Sequence, residues 1–483
     1  MGILENCRPK RVFHYFEEIC GIPHGSGDTQ AISDYLVDFA KEHNLDYVQD
    51  PLGNVLIRKA GTKGYENSPG VILQGHMDMV CEKRAEVVHD FKKEGLKLAV
   101  TEDGYVTACG TTLGGDDGIA VAYALALLES TDLPHPPLEV LITVDEEVGL
   151  VGAKAFDCSV LKGKRLINLD SEAEGSLWVS CAGGMRGCST IPVMRVDGFG
   201  ERVRVCITGL IGGHSGSEID KNRANSNILM GRFLYELKKR VDFALVSLQG
   251  GSKSNAIARE TIGELLVLPE ELPKLRKLAE ELQSDFRKEY AGIETGLTVS
   301  VEALGSCDAR VLHPSSQERV LFYMMQMPWG VQKMSGTIPG LVETSVNPGV
   351  LNLDETAFRV VSGARSSVGS AKRALSQRLE YLTEFLGGEY EIQGEYPAWE
   401  YREDSPLRDL MTRLYREMFG KELQVIAIHA GLECGLFYEK IEGLDCVSLG
   451  PNLLNIHTAE ERLDIASAER VWTYLLKVLE ELK

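Results

Sequence analysis

The sequence predicts an α/β protein whose main domain is a layered sheet packed against helices. Short apolar runs alternate with glycine-rich turns, as in VILQG from Val71, LEVLITV from Leu138 and LINLD from Leu166. Between the first two of these runs lies IAVAYALALLE (119–129), an apolar segment of helical length. Strand, helix and strand in alternation are typical of a domain with a substantially parallel sheet.

A change in character near residues 183–195 predicts a second domain inserted into the first. Downstream of it, amphipathic helices mix with strand-like runs such as LVETSVN, and from about Tyr396 long helices return around the strand-like DCVSLGP. At about 150 residues per domain, a chain of this length suggests two to four domains. We predict one domain from residues 1–186 and 396–483, with an α+β domain inserted at 187–395.

Composition and charge argue against several functions. The formal net charge is −20 and no basic stripe interrupts it, so binding to nucleic acid is not expected. The eleven cysteines include no CxxC pair, which favours reduced thiols over disulfides or a zinc ribbon. The N-terminal segment lacks a signal-peptide core, and no apolar run is long enough for a bilayer. We expect a cytoplasmic protein that does not bind membranes.

Histidines and acids follow the predicted strands directly. His76 and Asp78 form a His-x-Asp pair after VILQ, GGDDG (114–118) opens the apolar helix, and Asp-Glu-Glu (145–147) closes LEVLITV. Open α/β sheets bind ligands at the carboxyl ends of their strands. Each group also has an ordinary explanation taken alone: a core ion pair, a helix cap or a solvated loop.

Taken together, these groups supply a set of candidate metal ligands. Two imidazoles and three carboxylates follow successive strands or lie far downstream: His76, Asp116, Glu147, Asp170 and His457. This set is sufficient for two metal ions that share one carboxylate. Nitrogen and oxygen ligands without thiolates favour zinc, with manganese and cobalt as alternatives, whereas calcium and magnesium prefer oxygen alone. We therefore predict two Zn²⁺ per chain.

Seven segments resemble the aminoacyl-histidine (Xaa-His) dipeptidases, a bacterial branch of the two-zinc peptidase family that includes carnosinases, aminoacylases and glutamate carboxypeptidases. The segments are HMDMV, GTTLGGDDG, DEEVG, NLDSEAEG, CAGGMRG, GLIGGHSGSEI and HAGLECGLF. Their order and spacing match from the first helix to the last. The resemblance implies a catalytic domain with a central mixed sheet and helices on both faces, and an inserted α+β domain that serves as lid and dimerisation domain.

The resemblance also implies roles for the metal-site residues. A His and an Asp hold the first metal in relatives, a Glu and a His hold the second, and an Asp bridges both; the matching residues are His76, Asp170, Glu147, His457 and Asp116. Asp78 would orient the first His, and Glu146 would be the general base toward a water that bridges the two metals. A cis peptide follows the bridging Asp in relatives, which often carry Asn where this chain has Asp117.

Four residues of the inserted domain and its vicinity are implied to contact the substrate. His214, in GGHSG, would reach the active site of a partner subunit and hold the oxyanion, which makes a homodimer part of the catalytic machinery. Asn255, Arg365 and, as a weaker candidate, Gly431 would hold the substrate's terminal carboxylate. By residue type alone, His214 is better explained as a turn histidine, and Asn255 and Arg365 are equally surface groups.

The sequence therefore predicts a zinc dipeptidase that hydrolyses small unblocked dipeptides, especially Xaa-His dipeptides such as β-alanyl-histidine (carnosine). The histidine preference follows from the resemblance alone. One alternative is an aminoacylase or carboxypeptidase of the same family, acting on acylated substrates. Another is a non-catalytic binding protein on the same fold, against which the intact ligand set and Glu146 argue.

Overall fold

The computed structural model of the chain describes residues 2–483, which divide into two compact units. The first unit comprises residues 2–181, Tyr401–Ala427 and Leu432–Lys483, and the second comprises Ala182–Glu400 and Ile428–Gly431. A strand beginning at Gly183 pairs along its whole length with strands of the second unit. The structural division therefore falls a few residues before the boundary at 186 that the sequence suggested.

The N-terminal part of the first unit contains four α-helices and eight strands. In chain order they are α1 (Lys10–Cys20), α2 (Gln30–Glu42), β1 (Asp46–Gln49), β2 (Val55–Lys59), β3 (Val71–His76), β4 (Leu98–Val100), β5 (Tyr105–Ala108), α3 (Gly115–Glu129), β6 (Leu138–Thr143), α4 (Val151–Ala155), β7 (Arg165–Asn168) and β8 (Ser176–Cys181).

The second unit and the C-terminal part follow. The elements up to residue 400 are β9 (Gly183–Pro192), β10 (Arg195–Thr208), β11 (Gly213–His214), α5 (Ser226–Lys238), β12 (Phe243–Gly250), β13 (Ala256–Ile257), β14 (Thr261–Val267), α6 (Leu272–Glu289), β15 (Thr298–Leu312), α7 (Pro314–Gln326), β16 (Gly330–Met334), β17 (Val342–Leu353), β18 (Ala357–Ser366), α8 (Gly369–Phe385) and β19 (Glu389–Tyr396). The remaining ones are α9 (Pro406–Phe419), β20 (Gln424–Ile428), α10 (Glu433–Lys440), β21 (Asp445–Ser448), β22 (Leu453–Leu454), β23 (Arg462–Asp464) and α11 (Ile465–Glu481).

The main sheet of the first unit is mixed, as predicted. Its strand order is β1-β2-β6-β3-β7-β21-β8-β20. The four central strands β6, β3, β7 and β21 run parallel, whereas β1, β2 and β8 pair antiparallel with their neighbours. Every residue of β3 and β6 is buried, so both faces of the sheet are covered. The helix between them, α3, is buried along nearly its whole length.

The second unit is built on an antiparallel sheet of nine strands. Eight of them follow the order β15-β10-β14-β12-β17-β18-β9-β19, and β16 pairs with β17. Helices α5, α6 and α7 contribute apolar side chains such as Phe233, Phe286 and Val320 to one core with this sheet. A smaller core joins Leu375 and Leu379 of α8 to the sheet. Within residues 2–483, no helix has the length and hydropathy that crossing a membrane requires.

Candidate metal centre

The five predicted ligands meet at one edge of the main sheet. His76 is the last residue of β3, Glu147 follows β6 and Asp170 follows β7. These strands are parallel neighbours, so their carboxyl ends lie side by side. Asp116 lies at the start of α3, and His457 lies in the loop between β22 and β23. The fold thus brings together residues that are far apart in sequence.

The ligand atoms form overlapping groups around Asp116. In one group, atoms of His76, Asp116 and Asp170 all lie within 4.8 Å of one another; in a second, atoms of Asp116, Glu147 and His457 do. The Oδ1 atom of Asp116 is 3.1 Å from His76 Nε2, and its Oδ2 atom is 3.2 Å from His457 Nε2. The two carboxylate oxygens therefore face different histidines, which is the geometry of a carboxylate that bridges two cations.

The electrostatics of this cluster fit bound cations. Burial raises the pKa of Asp170 to about 6 and the pKa of Glu146 well above its usual range, and neighbouring carboxylates add to both shifts. No Lys or Arg in the described part of the chain forms an ion pair with Asp116, Glu146, Glu147 or Asp170. A bound cation would relieve this crowding of carboxylates.

Glu147 gives a geometric sign of the same need. Its Oε1 atom is buried and lies 2.7 Å from His457 Nε2. The two side chains are therefore close enough to hold one ion between them. The donor set of imidazole nitrogens and carboxylate oxygens therefore suits Zn²⁺, Mn²⁺ or Co²⁺.

Asp78 connects His76 to the acidic loop at residues 145–147, which follows β6. Its buried carboxylate accepts hydrogen bonds from Ser26 Oγ at 2.8 Å and from the backbone N–H groups of Glu146 and Glu147 at 2.9 and 3.3 Å. The Nδ1 atom of His76 lies 2.9 Å from the backbone carbonyl of Asp78 and 3.4 Å from its carboxylate. The carbonyl is thus the nearer acceptor for the His76 ring, and Asp78 orients the acidic loop as well.

The side chain of Asp117 explains why the residue directly before His76 is a glycine. Its Oδ2 atom accepts a hydrogen bond from the backbone N–H of His76 at 3.1 Å. A Cβ atom at Gly75 would lie 2.5 Å from this oxygen and 2.7 Å from the Cβ of Ala120, so only glycine fits before His76. The peptide bond between Asp116 and Asp117 is cis. Burial and the Asp170 carboxylate raise the pKa of Asp117 well above its usual range, which favours a neutral side chain of asparagine-like shape.

We expect the substitution Asp117→Asn to preserve turnover within about threefold, which is about 0.6 kcal/mol of barrier, because a neutral Asp117 and an asparagine have nearly the same shape and charge. It should also alter the pH dependence of stability. Since the folded-state pKa of Asp117 exceeds the unfolded value of about 3.9, the contribution of Asp117 to wild-type stability falls as the pH rises above about 4. Thermal unfolding of both proteins from pH 4 to 8 with a chelator present measures this slope; equal slopes would contradict the assignment.

The predicted substrate residues lie together within the second unit. A Cβ atom at Gly216 would lie 2.9 Å from His214 Cε1 and 3.2 Å from Arg365 Nε. The backbone N–H of Ser215 donates to the carbonyl of Asn255 at 2.9 Å, and β11 pairs with β13 beside it. His214, Asn255 and Arg365 therefore share one neighbourhood.

The Arg365 guanidinium is half-buried and available to an anion. Its Nη1 atom donates to the Tyr396 hydroxyl at 2.8 Å, and no carboxylate of residues 2–483 forms an ion pair with it. A Cβ atom at Gly431 would lie 2.6 Å from the Tyr396 ring, so the fourth predicted residue is in the same cluster. Burial and the Arg365 charge lower the pKa of His214, which favours its neutral form. Its Nδ1 atom accepts from the Ser217 N–H at 3.2 Å, leaving Nε2–H as a donor.

Several residues of these clusters were not found from the sequence. The Tyr396 hydroxyl accepts a hydrogen bond from Arg365. His429 is buried, with its Nε2 atom 2.7 Å from Ser345 Oγ. Burial and the charge of Arg365 lower the pKa of His429 to about 4. His429 opens the HAGLECGLF segment, and this is the signal that could have pointed to it. Glu461, close to Asp116, stands in a polar stretch that carried no such signal.

This fold and site define a peptidase: the chain belongs to peptidase family M20/M25/M40, whose profile matches residues 72–481. It is 36% identical over 484 residues to the cytosol non-specific dipeptidase of Escherichia coli (strain K12), and the match covers 100% of this chain and 99% of that protein. The crystal structure of aminoacylhistidine dipeptidase from Vibrio alginolyticus matches with a TM-score of 0.92 and 37% identity, over 99% of this chain and 97% of that one.

A tripeptidase from Staphylococcus aureus shares the fold, with a TM-score of 0.56 and 17% identity over 99% of each chain. These comparisons confirm the predicted family resemblance and the α/β fold class. They also confirm the prediction that the chain is a peptidase.

Proposed function

We propose that this chain is a cytoplasmic two-zinc dipeptidase that hydrolyses unblocked dipeptides, including Xaa-His dipeptides such as β-alanyl-histidine. The observation that supports this most is the position of Asp116, whose two oxygens face His76 and His457 on either side. The full-length similarity to a protein named a cytosol non-specific dipeptidase supports both the activity and the location.

His76 and Asp170 would hold one Zn²⁺, Glu147 and His457 would hold the other, and Asp116 would contact both. When bound, the two ions supply Lewis acidity that lowers the pKa of a water and polarises the substrate carbonyl. Manganese or cobalt would serve the same ligand set.

Glu146 is proposed as the general base. One carboxylate oxygen belongs to a group with His76 and Glu147 whose atoms lie within 4.8 Å of one another. Its carboxylate takes no part in a hydrogen bond within residues 2–483, so it is free to act on a water. The raised pKa of Glu146 suits a group that removes a proton from water and delivers it to the leaving amine.

The cluster in the second unit is proposed to recognise the substrate. Arg365, with a planar fork of donors, would bind the terminal carboxylate, assisted by Asn255 and Gly431. The Nε2–H of His214 would donate to the oxyanion as charge develops on it. By resemblance, His214 serves the active site of a partner subunit in a homodimer formed through the inserted domain. Clamping both charged ends of a dipeptide would exclude longer peptides.

A substrate panel with metal analysis tests the proposal. We expect about two zinc, manganese or cobalt ions per chain, as a pair of cooperating catalytic ions requires, and turnover of β-alanyl-histidine and other free dipeptides. N-acetylated and C-terminally amidated analogues of the same dipeptides should react at least about 100-fold more slowly, because each lacks a charged end. Faster hydrolysis of the acetylated forms would instead establish an aminoacylase or carboxypeptidase. Bound peptide without turnover of any substrate would establish a binding protein.

A further inference from the structure

The turn that carries Asp116 is held by one acidic side chain from near the C-terminal end of the first unit. Glu461 is 2% exposed and lies four residues after His457. Its carboxylate accepts hydrogen bonds, at 2.8, 3.2, 2.8 and 3.3 Å, from the backbone N–H groups of Leu113, Gly114, Gly115 and Asp116. Four successive amides of the turn therefore converge on one side chain.

These amides need such an acceptor. Although α3 is counted from Gly115, Asp116 and Asp117 have non-helical dihedral angles, so the amides of residues 113–116 belong to the turn before the regular helix and have no partner within it. The residue before it, Gly114, has no side chain that could cap them. A carboxylate offers about four lone-pair positions and a negative charge suited to a helix start, whereas an amide would direct N–H toward N–H. The geometry is specific for a carboxylate.

The glycines of GGDDG (114–118) allow Glu461 to approach. A Cβ atom at Gly115 would lie 2.6 Å from Leu453 Cδ2 and 3.2 Å from Glu461 Oε1. Gly114 has a φ of +65°, a left-handed conformation that favours glycine. The motif therefore accommodates the Glu461 carboxylate and not only the acidic pair inside it.

The same carboxylate connects the turn to the loop of His457. This loop runs from β22 to β23, and its residues Asn455 and His457 have φ values of 55° and 60°. The backbone N–H of Glu461 donates to the carbonyl of Thr458 at 3.2 Å, and Thr458 Oγ1 donates to the carbonyl of Asn455 at 2.7 Å. A displaced Glu461 would therefore move both the turn of Asp116 and the loop of His457.

We propose that Glu461 is a positioning residue of the metal centre. It fixes the orientation of the Asp116 carboxylate and its position relative to His457. The inference rests on the proposed function in one respect, that Asp116 and His457 bind metal. Residues that orient a metal ligand without contacting the metal typically change metal affinity by about 10–100-fold when they are replaced. Glu461 is expected to act in this range.

The test compares Glu461→Gln with Glu460→Gln in the full chain. Glu460 is a matched control because its side chain is 54% exposed and pairs with Arg84 on the surface. Zinc affinity is measured by competition with a chromophoric chelator, and the ligand field by the visible absorption of the cobalt-loaded protein. For Glu461→Gln we expect at least one zinc site weakened by about 10–100-fold, a changed cobalt spectrum, and a fall in kcat with little change in KM. Glu460→Gln should match the wild type in all three.

Wild-type zinc affinity and an unchanged cobalt spectrum in folded Glu461→Gln would overturn the proposal, even if its melting temperature falls. Should Glu461→Gln fail to fold, Glu461→Asp decides, since it keeps the carboxylate on a stem shorter by one methylene. Weakened zinc binding in Glu461→Asp supports positioning, and wild-type binding refutes it. Failure of the proposed function would show in the wild-type protein, as missing metal or missing dipeptide turnover, whereas failure of this inference shows only in the comparison of variants.

Discussion

Replacement of Glu146 by glutamine is expected to lower kcat by about 10³-fold while the protein keeps its two metal ions. A glutamine has nearly the same size as a glutamate but cannot accept the proton of the attacking water. The backbone N–H of residue 146 would continue to donate to Asp78, so the acidic loop keeps its place. Steady-state kinetics with a free dipeptide, combined with metal analysis of the same preparation, measure both quantities.

Asp145→Asn is the matched control for this variant. Asp145 is the adjacent acid of the same loop and accepts a hydrogen bond from the backbone N–H of Gly27. It has a φ of 53°, which asparagine tolerates well. This control also removes one negative charge, and it should retain wild-type turnover. Comparable loss of activity in both variants would mean that loop charge, and not a proton acceptor at Glu146, governs the rate.

The second large effect is expected for Asp116→Ala, which should leave less than about one metal ion per chain and no measurable dipeptide turnover. The reason is that, in the proposed arrangement, Asp116 would contact both ions, whereas each of the other four ligands would hold one ion. Asp170→Ala should therefore lose about one ion and keep the other. Metal analysis after dialysis, with circular dichroism to verify folding, distinguishes the two variants.

Asp103→Asn provides the control, because this aspartate is exposed and forms an ion pair with Arg462 on the surface. It should bind metal as the wild type does. If Asp116→Ala folded and still bound two ions, the shared-carboxylate arrangement would be wrong. If Asp170→Ala lost both ions, the two sites would be interdependent in a way that the ligand groups do not indicate.

The central strands and the candidate ligands could be predicted from the sequence because both leave local patterns. Fully buried parallel strands such as β3 and β6 are continuous apolar runs, and the polar residue after each run marks the edge of the sheet. The apolar run at residues 119–129 predicted helix α3 in the same way. Each of these signals lies within about ten residues, so neighbouring residue types suffice to read it.

Other features depend on partners that are distant in sequence. Strand β21 enters the sheet between β7 and β8, a position that no local pattern of Asp445–Ser448 indicates. The sequence pointed to the Asp78 carboxylate as the acceptor for the His76 ring, but the backbone carbonyl of Asp78 is closer. Backbone donors and acceptors leave no trace in residue types, so the hydrogen bonds that the backbone N–H groups of residues 113–116 donate to Glu461 could not be predicted either.

The late arrival of β21 and His457 in the chain has a consequence for biosynthesis. During translation, a nascent polypeptide that has reached residue 440 already carries His76, Asp116, Glu147 and Asp170, yet it lacks the strand that completes the sheet core and the second histidine. In the proposed arrangement, such an intermediate cannot assemble both ion sites. Under the proposed function, hydrolytic competence is therefore acquired only after residue 457 has left the ribosome.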